Sequence, residues 1–497
     1  MTNENFFATL QLAFSPALER PFLALPSGRS YSYGEINELS ARMADALLAL
    51  GAKPGDRIAV QVEKSPENVA LYLGAMRAGL VYAPLNTAYT ETEIEYFLND
   101  SGPTIFVCDP EKEKALTPVA DKSGVKTLLT LGPDGDGALM DAANRAAAHD
   151  IVEPREANDL AVILYTSGTT GRSKGAMLTH GNLSSNAKTL NALWGFTGAD
   201  VLLHALPIFH IHGLFVALHT AMLSACEILF LPKFDIGDVR RGMKRATVMM
   251  GVPTFYSRLL GESDFGSADC ARMRLFISGS APLTVETFNA FKSRTGHAIL
   301  ERYGMSEAGM IASNPLDGER IAGTVGFALP GVSIRINGGA PGEVEVKGPN
   351  ICAGYWNKPD QTSQAFTADG WFKTGDVGVM DKTGRLSLAG RDKDLIIAGG
   401  FNIYPVEIEQ ILDAAPGVAE SAVIGAPHAD MGEGVIAVLV ADGAPPDDEK
   451  LLAALAALAK FKRPRKFFWL DALPRNAMGK VQKQILREQF KTAFTQQ

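Results

Sequence analysis

The chain reads as an α/β protein that ends in a smaller α+β unit, and three patterns in its 497 residues predict this. From about residue 30 to 330, short apolar runs alternate with segments of helical length, the rhythm of parallel βαβ units. From Gly342 the period changes to two, as in GEVEVK (342–347), where Val344 and Val346 share a face. Short strands with glycine-rich turns follow up to Gly390, which predicts a small β subdomain. Beyond Arg391, helices and strands alternate again on a smaller scale.

In chain order, the apolar runs at 57–62, 161–165 and 274–277 are predicted strands of the parallel region. Past a boundary near 391–394, the pattern predicts a helix over 405–412 and strands over 419–424 and 435–440. A helix over 447–460 and a strand over 467–470 complete it. Leu451, Leu455 and Leu458 recur at helical spacing, so that second helix covers one face of a small sheet.

Composition narrows the function. Apolar residues make up 46% and charged residues 21%, the balance of a globular protein, and the length exceeds one ordinary core. A net charge of −8 without a basic tail or face argues against nucleic acid or an anionic membrane as partner. Cys108, Cys226, Cys270 and Cys352 lie far apart with no CxxC pair, so reduced thiols and a cytoplasmic location are expected. The N-terminal MTNENFFATLQLAF lacks the basic stretch of a secretory or mitochondrial leader. The longest apolar region, 214–232, contains Glu227, and a charge in mid-span costs about 2.5 to 3.5 kcal/mol on insertion, which argues against a membrane helix.

Residues 165–175 read YTSGTTGRSKG, a composition suited to wrapping phosphate. Gly168, Gly171 and Gly175 let backbone amides approach an anion, Thr166, Ser167, Thr169 and Thr170 supply hydroxyls, and Lys174 supplies charge. The apolar run upstream puts the loop at the carboxyl end of a strand, where open α/β sheets bind ligands. The spacing is not that of a Walker loop. Taken alone, the same composition also describes a flexible linker.

Downstream come SGSAPL (278–283), ERYGMSE (301–307), KTGD (373–376), GRDKDLIIAGGFNIYPVEIE (390–409) and PRNAMGKVQK (474–483). With the first loop, these motifs in this order make the chain resemble the adenylate-forming superfamily, acyl-CoA synthetases in particular, from about residue 30 to the end. The resemblance implies a large N-terminal domain (1–391) of two α/β subdomains and a β subdomain, then a small mobile C-terminal domain (392–497). It also implies ATP, magnesium and CoA as ligands.

Residue by residue, the resemblance gives Tyr303 and Gly304 to the adenine, with the backbone of Gly279, Ser280 and Ala281 along the edge of the base. Tyr303 alone would read rather as a core tyrosine on a tight turn. Glu307 is implied as the magnesium ligand, and a carboxylate suits that ion. Asp376 and Arg391 are implied at the ribose, although an Asp after a Thr-Gly turn otherwise caps backbone. Lys480, a residue type usually solvated, is implied to bridge the attacking carboxylate and the α-phosphate. A unit charge pair at about 4 Å and an effective dielectric near 20 is worth about 4 kcal/mol, roughly a thousandfold in rate. Lys393 falls at the hinge, and Gly399 and Gly400 at the CoA tunnel. Two departures are Ser173, where the loop usually has proline, and Ser306, where threonine usually precedes the glutamate; neither changes the class.

Arg302 points to the acid. A pocket for fatty acids would not bury a guanidinium, and the ERYGMSE and IFHIHG forms are similar to those of malonyl-CoA synthetases, in which arginines hold the unreactive carboxylate. Arg302, with Arg258 as a second candidate, would clamp a dicarboxylic acid by bidentate hydrogen bonds; the alternative for Arg302 is an ion pair with Glu301. His210, Met305 and Ser306 are implied to line the acyl pocket. His210 and His212 are expected on one side of a strand, at a metal-pair spacing that no further ligand completes. Lys462, Arg463 and Arg465 read either as CoA phosphate contacts or as a solvated basic turn.

The expected activity is a two-step ligation: malonate, with methylmalonate as a second substrate, reacts with ATP to give the acyl-adenylate and pyrophosphate, and CoA then displaces AMP. The alternative is another short or medium-chain acid. The sequence shows no carrier domain after Lys480, which favours free CoA as acceptor. A luciferase-like oxidase and a non-catalytic nucleotide sensor are further alternatives. Acetylation of Lys480 by a lysine acetyltransferase is expected to inactivate.

Overall fold

The computed structural model describes residues 3–166, 173–391, 394–398, 401–428, 431–476 and 479–494, with the backbone alone at Phe401, Asn402 and Ala457. Among these residues the strands form four sheets. The largest has nine strands, and its centre runs Glu227–Phe230, Val201–His204, Val248–Gly251, Leu275–Ser278 and Leu300–Met305, each parallel to the next. Gly309–Ser313 then pairs antiparallel with Leu300–Met305. A second sheet places Thr127–Thr130, Ile105–Cys108, Arg57–Gln61, Val81–Pro84 and Leu160–Thr166 in parallel, with Lys174–Thr179 antiparallel at the end. Strands such as IFVC, VYAP, VMMG and LFIS are buried along their whole length. Such continuous apolar runs are what a parallel sheet covered on both faces by helices requires.

Ser333–Asn337, Gly342–Lys347, Phe372–Met380 and Leu386–Arg391 form an antiparallel meander, the β subdomain. The last sheet is built on the hairpin of Val418–His428 and Gly432–Ala441, with Lys466–Trp469 parallel beside it. Alternation sorts its side chains: Val423, Ala437 and Leu439 pack under helix Pro405–Asp413, whereas Ala422, Ile424, Ile436 and Val438 pack against Leu486 of Lys483–Gln489. The cores divide accordingly. Side chains from Phe6 to Leu388 fill the larger part, and those from Ile396 to Phe494 fill the smaller. The fold is mixed α/β, with a large N-terminal domain and a smaller C-terminal one.

Three local expectations change. The segment 447–460 is an α-helix only over Asp448–Ala454, followed by a 3₁₀ turn at Leu455–Ala457. Arg463 takes the carbonyls of Ala456 and Leu458, so the helix has no need to continue. The hairpin strands outrun their predicted limits because Gly425 and Gly434 lie inside the ladder; a Cβ on Gly434 would meet the Phe494 ring at 2.4 Å. His210 and His212 do not share a strand: the strand ends at His204, and a π-helix, His212–Leu218, runs into helix His219–Leu223. Among the described residues no helix is long and apolar enough to cross a membrane, and the four cysteines are free and buried.

Candidate active site

A cavity of about 250 Å³ opens where the two domains meet, lined from the larger by Thr166, Lys174, Glu307 and Arg391 and from the smaller by Asn476 and Lys480. Its walls are strand ends and the turns that follow them. In the meander, Asp376 lies opposite Arg391 in the ladder, and Arg391 Nε stands 2.8 Å from Asp376 Oδ1. Tyr303, from the neighbouring sheet, donates its hydroxyl to the other oxygen, Oδ2, at 2.5 Å. Asp376 is therefore held by side chains of two sheets and is not spent on a backbone cap. The Glu307 carboxyl is buried and accepts a hydrogen bond from Tyr355 Oη at 3.1 Å. Desolvation pushes its carboxyl above the ordinary value. Lys174 sits with Nζ 4.9 Å from the centroid of the same Tyr355 ring.

Lys480 reaches the cavity on a tight turn. Gly479 takes φ +72°, Asn476 Oδ1 accepts from the Lys480 backbone N–H at 3.0 Å, and the Asn476 N–H donates to the Lys480 carbonyl at 3.0 Å. Arg475 pairs with Glu420 and donates to the Gly479 carbonyl, which fixes the turn on the sheet. Burial first, then the Arg391 charge, lowers the Lys480 ammonium to about 8. Asp376 and Asp394 oppose that shift.

On strand Leu300–Met305, Arg302 is 3% exposed, and its Nε and Nη2 have no hydrogen-bond partner among the described residues. Burial lowers the guanidinium to about 9. The alternative ion pair with Glu301 does not form, because consecutive strand residues point to opposite faces. Glu301 instead accepts from the Leu283 N–H at 3.2 Å, its Oε2 has no partner among the described residues, and burial raises its carboxyl to about 8. His212 places Nδ1 3.2 Å from Ser280 Oγ, and its Nε2 has no partner among the described residues. Burial and the nearby Arg302 keep the His212 imidazole neutral. Ser280 takes φ +73°, a strained left-handed conformation of the kind that gathers at functional sites. His210 lines the cavity with Gly304, Met305 and Ser306, and burial lowers it to about 4.

Other expectations land elsewhere. Arg258 is exposed on helix Pro253–Gly261, its guanidinium 6.0 Å from the Phe234 ring centroid, and it does not line the cavity. An exposed guanidinium is already solvated, which argues against Arg258 as an acid clamp. Ala281 is half-buried beside the cavity-lining Ser280. Lys462 is engaged by Glu407 at 2.7 Å and Arg463 by carbonyls of its own domain. Ser167, Gly168, Thr169, Thr170, Gly171, Lys393, Gly399 and Gly400 lie outside the described residues. Tyr355, which joins Glu307 to Lys174, stands in none of the sequence motifs.

Among the described residues no three His, Cys, Asp or Glu side chains gather as a metal cage. A single desolvated carboxylate fits magnesium better than any ion needing a full protein shell, since magnesium takes most of its oxygens from phosphate and water.

The AMP-binding enzyme family matches residues 14–356, and its C-terminal domain matches 407–480, ending on Lys480. The malonate–CoA ligase of Arabidopsis thaliana is 36% identical over 93% of this chain and 85% of its own length. The ATP-bound crystal structure of MatB from Rhodopseudomonas palustris is 51% identical, covers 99% of this chain and all of its own, and superposes with a TM-score of 0.96. The apo structure of the same enzyme, at the same identity and coverage, gives 0.85, so the arrangement here, with Lys480 in the cavity, is nearer the ATP-bound form. The chain belongs to the AMP-binding family of adenylate-forming enzymes.

Proposed function

We propose that the protein is an AMP-forming malonate–CoA ligase, and one observation carries the choice of acid: the buried guanidinium of Arg302, two residues before the cavity-lining Gly304, whose Nε and Nη2 have no partner among the described residues. A buried cation of this kind calls for an anion. The unreactive carboxylate of malonate would take both donors in bidentate fashion, leaving the other carboxylate to react. A monocarboxylate leaves the guanidinium desolvated and unpaired, a cost of about 1 to 3 kcal/mol. One methyl group changes apolar contact by only about 1 to 3 kcal/mol, so methylmalonate is a second substrate.

In the first step a malonate oxygen attacks the α-phosphorus of ATP, the bond to the bridging oxygen breaks, and pyrophosphate leaves. Lys480 neutralises charge between the carboxylate and the α-phosphate. Asp376 and Arg391 hold the ribose, Tyr303 and Gly304 the base, and Thr166 and Lys174 the phosphates. Glu307 would hold magnesium, which when bound neutralises the phosphate oxygens. In the second step the CoA sulfur attacks the acyl carbon, the bond to AMP breaks, and the thiol proton is released. We place the domain boundary at 391/392, the hinge at Lys393 and the thiol path at Gly399 and Gly400; rotation there would withdraw Lys480 between the steps. Free buried thiols support a cytoplasmic setting. Acetylation of Lys480 would remove its charge and stop the first step.

The test is pyrophosphate release with malonate, methylmalonate, succinate, acetate and octanoate, for the wild type and Arg302→Ala. Malonate as the best acid, lost in the variant, is expected. Octanoate as the best acid, with no effect of the substitution, would sink the dicarboxylate reading and leave a ligase for another acid.

A further inference from the structure

Between the two large sheets lies a lysine that the proposed mechanism does not use. Lys64 follows strand Arg57–Gln61 of the six-stranded sheet, yet its ammonium crosses to the carboxyl ends of two strands of the nine-stranded one. There it meets three acceptors: His204 O at 2.9 Å, Leu231 O at 2.6 Å and His204 Nδ1 at 2.8 Å. Nζ also stands 4.3 Å from the centroid of the buried Phe230 ring. Among the described residues no carboxylate lies within ion-pair distance of it. Three donors therefore face three acceptors, the full complement of an ammonium.

The histidine passes the constraint on. His204 Nε2 lies 2.9 Å from the carbonyl of Gly213, an acceptor, so Nε2 carries the proton and Nδ1 is free to accept from Lys64. His204 closes strand Val201–His204, and Gly213 lies in the first turn of the π-helix His212–Leu218. The loop between them carries His210 and Ile211, which line the cavity, and leads into His212 beside Ser280. The bond from ring to carbonyl thus clasps the base of that loop, and Lys64 locks the clasp. Gly213 leaves little room to adjust, because a Cβ there would stand 2.1 Å from Pro207 O.

We infer that Lys64, acting through the His204 ring, is a positioning residue that sets the acid-facing loop 205–212 against Arg302. This rests on the acid-site reading above. A lysine is used here because one terminal nitrogen can bind the ends of two strands and the ring at once.

The test compares Lys64→Met, His204→Gln and His204→Leu in the full chain, measuring KM for malonate and for ATP and the melting temperature. A Met fills the lysine's volume without the donors; a Gln can accept from Lys64 and donate to Gly213. Lys64→Met is expected to raise KM for malonate about tenfold with KM for ATP unchanged, and His204→Gln is expected to stay within about threefold of wild type while His204→Leu follows Lys64→Met. An unchanged malonate KM in Lys64→Met, or malonate and ATP KM rising in proportion with a falling melting temperature, overturns the inference. If Lys64→Met does not fold, equal malonate KM values in the two His204 variants overturn it. Wild-type preference for malonate over octanoate is read separately, so failure of the acid assignment and failure of the clasp give different results.

Discussion

The guanidinium of Arg302 is pressed against the backbone of Gly279: a methyl on that glycine would stand 2.4 Å from both Cζ and Nη1. The glycine of SGSAPL, expected from the motif to serve the edge of the adenine, is thus also demanded from the acid side. Gly279→Ala should force the guanidinium out of place and raise KM for malonate by about ten- to a hundredfold. Titration with a fluorescent ATP analogue separates the two roles. Nucleotide affinity within about threefold of wild type is expected, and a parallel loss of both ligands would assign the glycine to the base instead.

Arg302 should be a burden to the empty protein. Replacing a buried, unpaired charge with an apolar side chain of similar length removes a desolvation penalty, so Arg302→Met is expected to raise the free energy of unfolding by about 1 to 4 kcal/mol while abolishing the preference for dicarboxylates. Urea denaturation without ligand checks the first part. A destabilised variant would mean that the guanidinium already has a structural partner.

Lys480 should write a limb into the pH profile. Its folded value of about 8 lies below the ordinary 10.5, so the ammonium is present below pH 8 and lost above it. Accordingly kcat/KM for pyrophosphate release should be flat below and fall as pH rises through about 8. Lys480→Met should remove that limb and about a thousandfold of the rate. Thioester formation from preformed malonyl-adenylate should survive, because the proposed rotation withdraws the lysine for that step. Loss of both half-reactions would contradict a role confined to the first.

Asp376 joins Tyr303 and Arg391. Asp376→Asn keeps an acceptor but leaves Arg391 without its counter-charge. ATP affinity is expected to fall at least about tenfold, with a stability loss of about 1 to 3 kcal/mol measured by denaturant titration. Unchanged ATP binding would remove Asp376 from the nucleotide site.

The sequence made some of this site readable because several of its residues stand in short runs where glycine, hydroxyl and charge occur together. Thr166, Lys174, Gly304, Glu307, Arg391 and Lys480 belong to such runs, and all line one cavity. What it hid depends on distance or helical phase. Lys64 and His204 are 140 positions apart, and Tyr355 and Glu307 are 48 apart; neither pair leaves a local pattern. Arg258 sits one residue after Ser257 and two after the buried Tyr256, and nothing in GVPTFYSR tells which face turns inward. The expected strand at His210 and His212 fails for a related reason, since apolar spacing near a π-helix fits neither the strand nor the α-helical period. The sheets were legible because continuous apolar runs bounded by glycine have few other places to go.

Arg302 and Tyr303 are consecutive on strand Leu300–Met305, and their side chains leave it in opposite directions. An insertion or deletion of one residue in that strand would exchange the two roles and ruin both. Redesign of substrate range in this scaffold is therefore confined to swapping the side chain where it stands. Libraries that hold the length of 300–305 constant and vary position 302 together with 210 and 211 would explore new acids while sparing the residues proposed for the nucleotide.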